Sequence, residues 1–314
     1  MKRIVTIGLD FFLKRNKCPN CGSEKSEFYS KVFTPFFERA TSILKLSNDV
    51  KKKRVLLKCG DCSLIYHHIV PKRAVLCSLF GGERMVERWK FDFSRNSIGK
   101  IDIIKKYSLG KTVLDVGCYS GELLSHFGEN YELWGIEPLS IPAKLAKEKH
   151  SVNVIEGFLE EAKLPTNYFS IVTMFDVIEH IYDIKGGLAK IYNSLKIDGV
   201  LVIETGNYLS LFARLLRGSW WYFSLLEHLA FWSADSLTRT LENLGFQVLL
   251  YKRTIHNRVS IKKMLYSYFL TPIFYMVAKL KFEDYFLKIC RKFGKLCTLP
   301  SQYYPDHIFL IAKK

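Results

Sequence analysis

Four of the eight cysteines fall in two Cys-x-x-Cys pairs, Cys18 with Cys21 and Cys59 with Cys62. Two such pairs supply four thiolates to a tetrahedron, the arrangement Zn2+ prefers in a site closed to substrate. In a chain of 314 residues this pattern points to metal and not to disulfides. A second constellation lies in VLDVGCYSGELL, Val113 to Leu124. An apolar run ends in Asp115, and Gly117 and Gly121 then make a turn that opens a helix. Glycine lets the backbone approach a ligand closely, and a helix N-terminus favours an anionic group such as a carboxylate. Glu137 follows at the tip of the next apolar run, where an acid accepts hydrogen bonds from ribose hydroxyls.

These residues need a scaffold, and the hydrophobic pattern supplies one. Short apolar runs at 112–117, 132–138, 152–157, 169–180, 199–207, 247–253 and 307–314 read as strands. Helical segments at 121–129, 141–150, 183–196 and 233–246 lie between them. Strand and helix in alternation predict an α/β fold built on a doubly wound, seven-stranded sheet. Residues 1–75 read as a zinc-ribbon-like module, with a hairpin insertion near 30–57 that includes the charge run at 51–54. His67 and His68 read as ordinary packing or surface histidines. Residues 76–110 read as a helical linker, 111–254 as the core, 255–306 as a basic aromatic helical insertion and 307–314 as the final core strand.

Composition narrows the class. Hydrophobic residues make up 48% and charged residues 25%, which excludes disorder and collagen-like repeats. The net charge of +17 is uneven: residues 1–110 carry +13, the middle to residue 250 carries −6, and the remainder carries +10. Basic flanks of this kind suit an anionic partner, or are simply a solvated lysine-rich surface. No apolar stretch approaches 18 residues, and the early sequence does not fit a secretory signal, so a cytoplasmic protein is expected. The apolar, aromatic and basic run at 262–295, broken by Pro272, could lie at a membrane interface or pack as a helical cover.

From about 95 to 250, with the closing strand, the chain resembles the class I S-adenosylmethionine-dependent methyltransferases. The resemblance implies a Rossmann-like sheet with S-adenosylmethionine as cofactor. The methionine moiety would lie on the loop of Asp115, Gly117, Cys118 and Gly121, and the ribose on Glu137. Adenine would lie near Gly157, with Phe158 and Leu159 lining the ring, and Asp176 joins the cofactor-binding positions. Tyr119 stands where many members carry a middle glycine.

FDVIEHI, Phe175 to Ile181, resembles the Glu-His motif of methyltransferases that act on small molecules, such as quinone rings and sugars. Methyl transfer is an in-line displacement that rests on positioning, with a base needed when the nucleophile must lose a proton. The resemblance makes His180 and His228 the catalytic candidates, with loop-shaping hydrogen bonds as their other reading. His228 lies in 217–237, which resembles a lid over the acceptor with Trp220, Trp221, Tyr222, Phe223, Phe231 and Trp232 as an apolar wall. Asp176, Glu179, His180 and His228 also resemble the divalent-cation set of methyltransferases acting on the terminal ribose of small RNAs. The clamp of nucleic-acid amino-methyltransferases and the Pro-Cys pair of cytosine methyltransferases are both missing, which argues against nucleic acid. A zinc ribbon before such a core resembles methyltransferases of glycan, lipid-linked sugar and secondary-metabolite pathways. The expected reaction is O-methylation of a small-molecule, glycan or lipid-linked acceptor. Alternatives are a zinc-ribbon-guided RNA methyltransferase and a ligand-binding fold without catalysis.

Overall fold

The computed structural model of the chain describes residues 5–32, 44–81, 94–255 and 306–314. The expected insertion over 255–306, and with it the membrane-interface segment 262–295, lies almost wholly outside the described residues. No helix among the described residues is long and apolar enough to cross a membrane.

The N-terminal part carries seven short strands: β1 (Val5–Ile7), β2 (Phe12–Lys14), β3 (Ser26–Lys31), β4 (Leu44–Leu46), β5 (Val55–Cys59), β6 (Ile65–His67) and β7 (Ile69–Pro71). Helix α1 (Asn48–Lys53) precedes β5, and α2 (Arg73–Phe80) and α3 (Ser94–Lys105) lead into the core. Ser47 caps α1 by accepting the Val50 N–H, which places the lysines of the 51–54 run in its last turn.

The core alternates as the hydrophobic pattern requires: β8 (Thr112–Val116), α4 (Glu122–Ser125), β9 (Glu132–Glu137), α5 (Ser140–His150), β10 (Asn153–Glu156), β11 (Phe169–Phe175), α6 (Ile184–Ser194) and β12 (Leu195–Gly206). After β12 come α7 (Leu211–Leu216), α8 (Trp221–Ser224), β13 (Ala230–Phe231), α9 (Ala234–Glu242), β14 (Gln247–Thr254) and β15 (His307–Lys313). All seven expected core strands form one sheet in the order β10-β9-β8-β11-β12-β15-β14. The first five neighbours pair in parallel, and β15 runs antiparallel between β12 and β14. In β11 the first six residues are buried, the unbroken apolar run of a strand covered on both faces. The chain winds outward through β9 and β10, then returns to place β11 on the other side of β8. Ligands of open α/β sheets bind at this reversal, beyond the carboxyl ends of the strands.

Helix α4 is shorter than its sequence pattern. It ends at Ser125 because His126 and Phe127 close i→i+3 turns onto Leu123 and Leu124, and Gly128 then turns at φ +95°. A larger difference concerns the aromatic segment after β12. Trp220, Tyr222, Phe223, Phe231 and Trp232 are almost fully buried. Most of them pack into a shared core with Leu56 and Ile65 of the cysteine module, so they do not form an open wall. The reason is backbone pairing: β13 adds antiparallel to β6 and extends the module's sheet to the order β13-β6-β5-β3.

Candidate functional site

The strand tips at the reversal gather the expected cofactor residues. Glu137 ends β9, is buried, and accepts two backbone N–H groups, from Tyr119 at 2.9 Å and from Leu139 at 2.8 Å. These bonds fix its carboxylate against the glycine turn. Each oxygen keeps a second lone pair for a ligand hydroxyl. Burial pushes the Glu137 carboxyl up to about 7, against the pull of the two N–H donors. Asp115 is the penultimate residue of β8 and accepts from the Thr173 hydroxyl at 2.6 Å; burial pushes it up to about 7 as well.

Between them the turn is shaped by positive backbone angles: Gly117 at φ +74°, Tyr119 at +48° and Gly121 at +79°. Tyr119 holds the left-handed conformation that glycine adopts freely, which explains why the backbone tolerates its side chain at modest cost, about 1–2 kcal/mol. A Cβ added at Gly117 would come within 2.6 Å of a Val177 methyl. Gly117→Ala is therefore expected to cost about 1–3 kcal/mol of stability through strain and overpacking. A denaturant midpoint equal to that of the parent protein would show the turn to be more permissive.

Two positions assigned to the cofactor point their side chains elsewhere. The Cys118 side chain is buried in the core with Val152 and Ala146, beneath the turn, where it excludes a Cβ at Gly135. Leu159 packs into the main core near Gly187 and Ile181. Phe158 is half-buried, and the Arg73 guanidinium lies 4.7 Å above its ring. Arg73 also pairs with Glu160 at 2.8 Å, which ties helix α2 to the loop expected to line adenine. Sequence reasoning missed this arginine, since nothing in its spacing links it to a loop 85 residues later.

On the other side of the reversal, Glu179, His180 and His228 each bring a potential ligating atom within 4.8 Å of the others. The two imidazoles lie 4.8 Å apart with planes at 74°. Glu179 is fully buried and accepts the Tyr222 hydroxyl and, at 2.9 Å, the Thr205 hydroxyl. Burial, and then the nearby Asp176 charge, push its carboxyl up to about 7. Burial holds His228 well below the usual imidazole range.

Asp176 stands apart from this trio. Its backbone takes φ +52°, and its carboxylate faces His307 at 3.4 Å. His307 in turn contacts Asp306 at 2.7 Å. Burial opposes a charge on His307, but the Asp306 and Asp176 carboxylates outweigh it and raise the imidazole well above its ordinary range. This Asp306–His307–Asp176 line was not read from the sequence; the signal was a histidine at the first residue of a strand whose neighbour β12 ends at the site.

The four cysteines converge as their spacing requires. Cys18 and Cys62 lie 3.5 Å apart, as do Cys21 and Cys59, and all four sulfurs fall within 4.8 Å of one another. A tetrahedron of thiolates around zinc has edges of about 3.8 Å, so this donor set fits Zn2+. The hydrogen bond from Cys18 lowers the Cys62 thiol below its ordinary range.

The module reaches the lid through buried polar contacts as well as through β13. Arg54 is fully buried and donates to the Ser224 carbonyl at 3.3 Å and the Leu225 carbonyl at 3.2 Å; burial lowers its pKa to about 10. A His67 ring nitrogen donates to the Phe223 carbonyl at 3.1 Å, and Arg15 donates to the Leu229 carbonyl at 3.0 Å. These clamps hold both sides of His228.

Comparisons with known proteins agree with this geometry. Residues 77–251, more than half of the chain, match the model of a family described as a methyltransferase domain. Over 130 residues the chain is 31% identical to the mitochondrial ubiquinone biosynthesis O-methyltransferase of Schizosaccharomyces pombe, covering 38% of this chain and 44% of that protein. The chain thus spans less than half the length of this curated relative. Among solved structures, the chain is similar to one from the complex between the Haloferax volcanii Trm112 methyltransferase activator and a methyltransferase. That match has a TM-score of 0.52 at 12% identity and covers 74% of this chain and 95% of the other. It is also similar to an S-adenosylmethionine-dependent methyltransferase from Archaeoglobus fulgidus, at 21% identity and TM-score 0.48, covering 73% and 97%.

Proposed function

We propose, on the premise that this chain belongs to the methyltransferase domain family, that it transfers the methyl group of S-adenosylmethionine to a hydroxyl of a small-molecule acceptor. The observation that carries this reading is the juxtaposition, at one reversal of the sheet, of the Asp115–Gly117–Glu137 cradle and the His180–His228 imidazole pair. The cradle offers what the cofactor needs: a glycine turn at a helix N-terminus and a fixed, buried acceptor for ribose hydroxyls. Phe158 and its Arg73 cover stand at the adenine end. The name of the fission-yeast relative, an O-methyltransferase, supports oxygen as the atom methylated. Glycan and lipid-linked hydroxyls remain within this acceptor class.

The chain's own residues act by orientation. A lone pair of the acceptor oxygen forms the new C–O bond as the S–CH3 pair returns to sulfur, leaving a neutral thioether. The hydroxyl proton must depart, and in this reading His180 and His228 receive it. Buried aromatic packing behind them excludes water from the transfer. In this reading the Cys18–Cys21–Cys59–Cys62 cluster holds a structural Zn2+ that stiffens the module beneath the lid.

Calorimetric titration with S-adenosylmethionine and with S-adenosylhomocysteine tests the reading. Micromolar affinity for both is expected, and the absence of heat for either overturns it.

A further inference from the structure

Arg73 joins two loops that serve different halves of the proposed reaction. Its guanidinium lies 4.7 Å from the centre of the Phe158 ring and 5.0 Å from the centre of the Tyr182 ring. Phe158 follows β10 at the adenine end of the proposed cofactor site, whereas Tyr182 stands two residues after His180. The same cation pairs with Glu160 at 2.8 Å and with the more exposed Glu161. One Glu160 oxygen serves both loops, since it also accepts the Tyr182 N–H at 2.9 Å. The Tyr182 hydroxyl donates to the Pro71 carbonyl at 2.6 Å, just ahead of helix α2. A planar cation set against aromatic rings and forked onto carboxylates is a task for arginine and not for lysine. The Arg73 Nε–H group is shielded from solvent and has no hydrogen-bond partner among the described residues. A buried donor without an acceptor is costly, and a ring nitrogen of adenine is an acceptor of the right kind. The rest of helix α2 follows the same cleft. Burial raises the Cys77 thiol and the Glu137 charge adds to the rise, so the helix overlooks the proposed ribose acceptor. Gly81, which ends it, lies against the Leu139 side chain, and the Leu139 N–H is bonded to Glu137.

We propose, resting on the methyltransferase reading above, that Arg73 is a positioning residue that couples the adenine end of the cofactor site to the loop carrying His180, and that it seats helix α2 over the bound cofactor. Adenine then orders the Phe158 loop, Arg73 and the Tyr182 loop together, and cofactor binding helps to set His180 for the acceptor. Coupling of this kind is reciprocal, so a defect at Tyr182 must also weaken cofactor binding.

Calorimetric titration of the full-length protein with S-adenosylhomocysteine tests this through a double-mutant cycle. Arg73→Ala is expected to raise Kd about ten- to a hundredfold, through the lost ring contacts and the lost donor. Tyr182→Ala is expected to raise it several-fold although Tyr182 lies on the acceptor side, and to add little once Arg73 is gone. Fully additive effects, or an unchanged Kd in Tyr182→Ala, overturn the coupling. Arg73→Lys is expected to recover little of the loss, and full recovery would leave only a point charge at this position. Alkylation of Cys77 by iodoacetamide, followed by peptide mass spectrometry, gives a second readout that needs no variant. Saturating S-adenosylhomocysteine is expected to slow it several-fold, and a rate that is not slowed overturns the seating of α2. The parent titration separates the two readings. Parent protein that binds S-adenosylhomocysteine while the cycle is additive keeps the methyltransferase function and loses the coupling; parent protein that binds none loses the function itself.

Discussion

Glu137→Ala weakens S-adenosylmethionine binding by about 1–3 kcal/mol, roughly five- to 150-fold in Kd. Two losses add in this variant. On the proposed reading the ribose hydroxyls lose a charged acceptor, and the Tyr119 and Leu139 N–H groups lose the oxygens that hold the turn against β9. The second loss acts on the cofactor site even before ligand arrives, because a turn released from β9 is no longer preorganised. Glu137→Gln separates the two: its single carbonyl oxygen can serve one N–H, and the affinity is expected between alanine and the parent protein. Kd values from calorimetry check this. An affinity unchanged in the alanine variant moves the ribose site away from β9.

Cys59→Ser has the larger effect on the molecule as a whole. On the proposed reading, loss of one thiolate from the set of four releases the Zn2+, and the fold loses the free energy of that binding, about 3 kcal/mol or more. The damage does not stay in the module. Cys59 ends β5, β5 pairs with β6, and β6 carries β13 of the lid. Arg54 and His67, on the same elements, hold the carbonyls of residues 223–225. Methyl transfer is therefore expected to fall much further than cofactor affinity, since Glu137 and the glycine turn lie on the core sheet. Thermal melting, zinc analysis and cofactor titration on one sample check the pattern. A melting temperature unchanged from the parent protein would falsify the structural role of the metal.

The core was legible because its signals are local. β8 to β12 are apolar runs separated by amphipathic helices, and the acids at the tips of β8 and β9 stand where such strands end. The cysteine spacing likewise announced that the four thiols gather in one place. What the sequence could not carry was the partnership between distant segments. The aromatic stretch 220–232 reads as an apolar wall until β13 is seen to pair with β6, a contact across more than 160 residues. Arg73 over Phe158 and His307 against Asp176 depend on docking geometry that no period or motif encodes. The inward turn of Cys118 and Leu159 was equally hidden, since a loop residue's facing is fixed by the helix packed beneath it.

The position of β15 bears on how the molecule is made. This strand fills the slot between β12 and β14, pairing Val200 with Lys313 on one side and Gln247 with Lys313 on the other. During synthesis β12 and β14 emerge long before it, and each presents an unsatisfied backbone edge until residues 307–313 leave the ribosome. Exposed edges invite pairing with other chains, and such late, long-range closure is slow. A nascent chain halted before residue 307 is thus a gapped sheet, vulnerable to aggregation at the place where the finished enzyme sets Asp306 and His307.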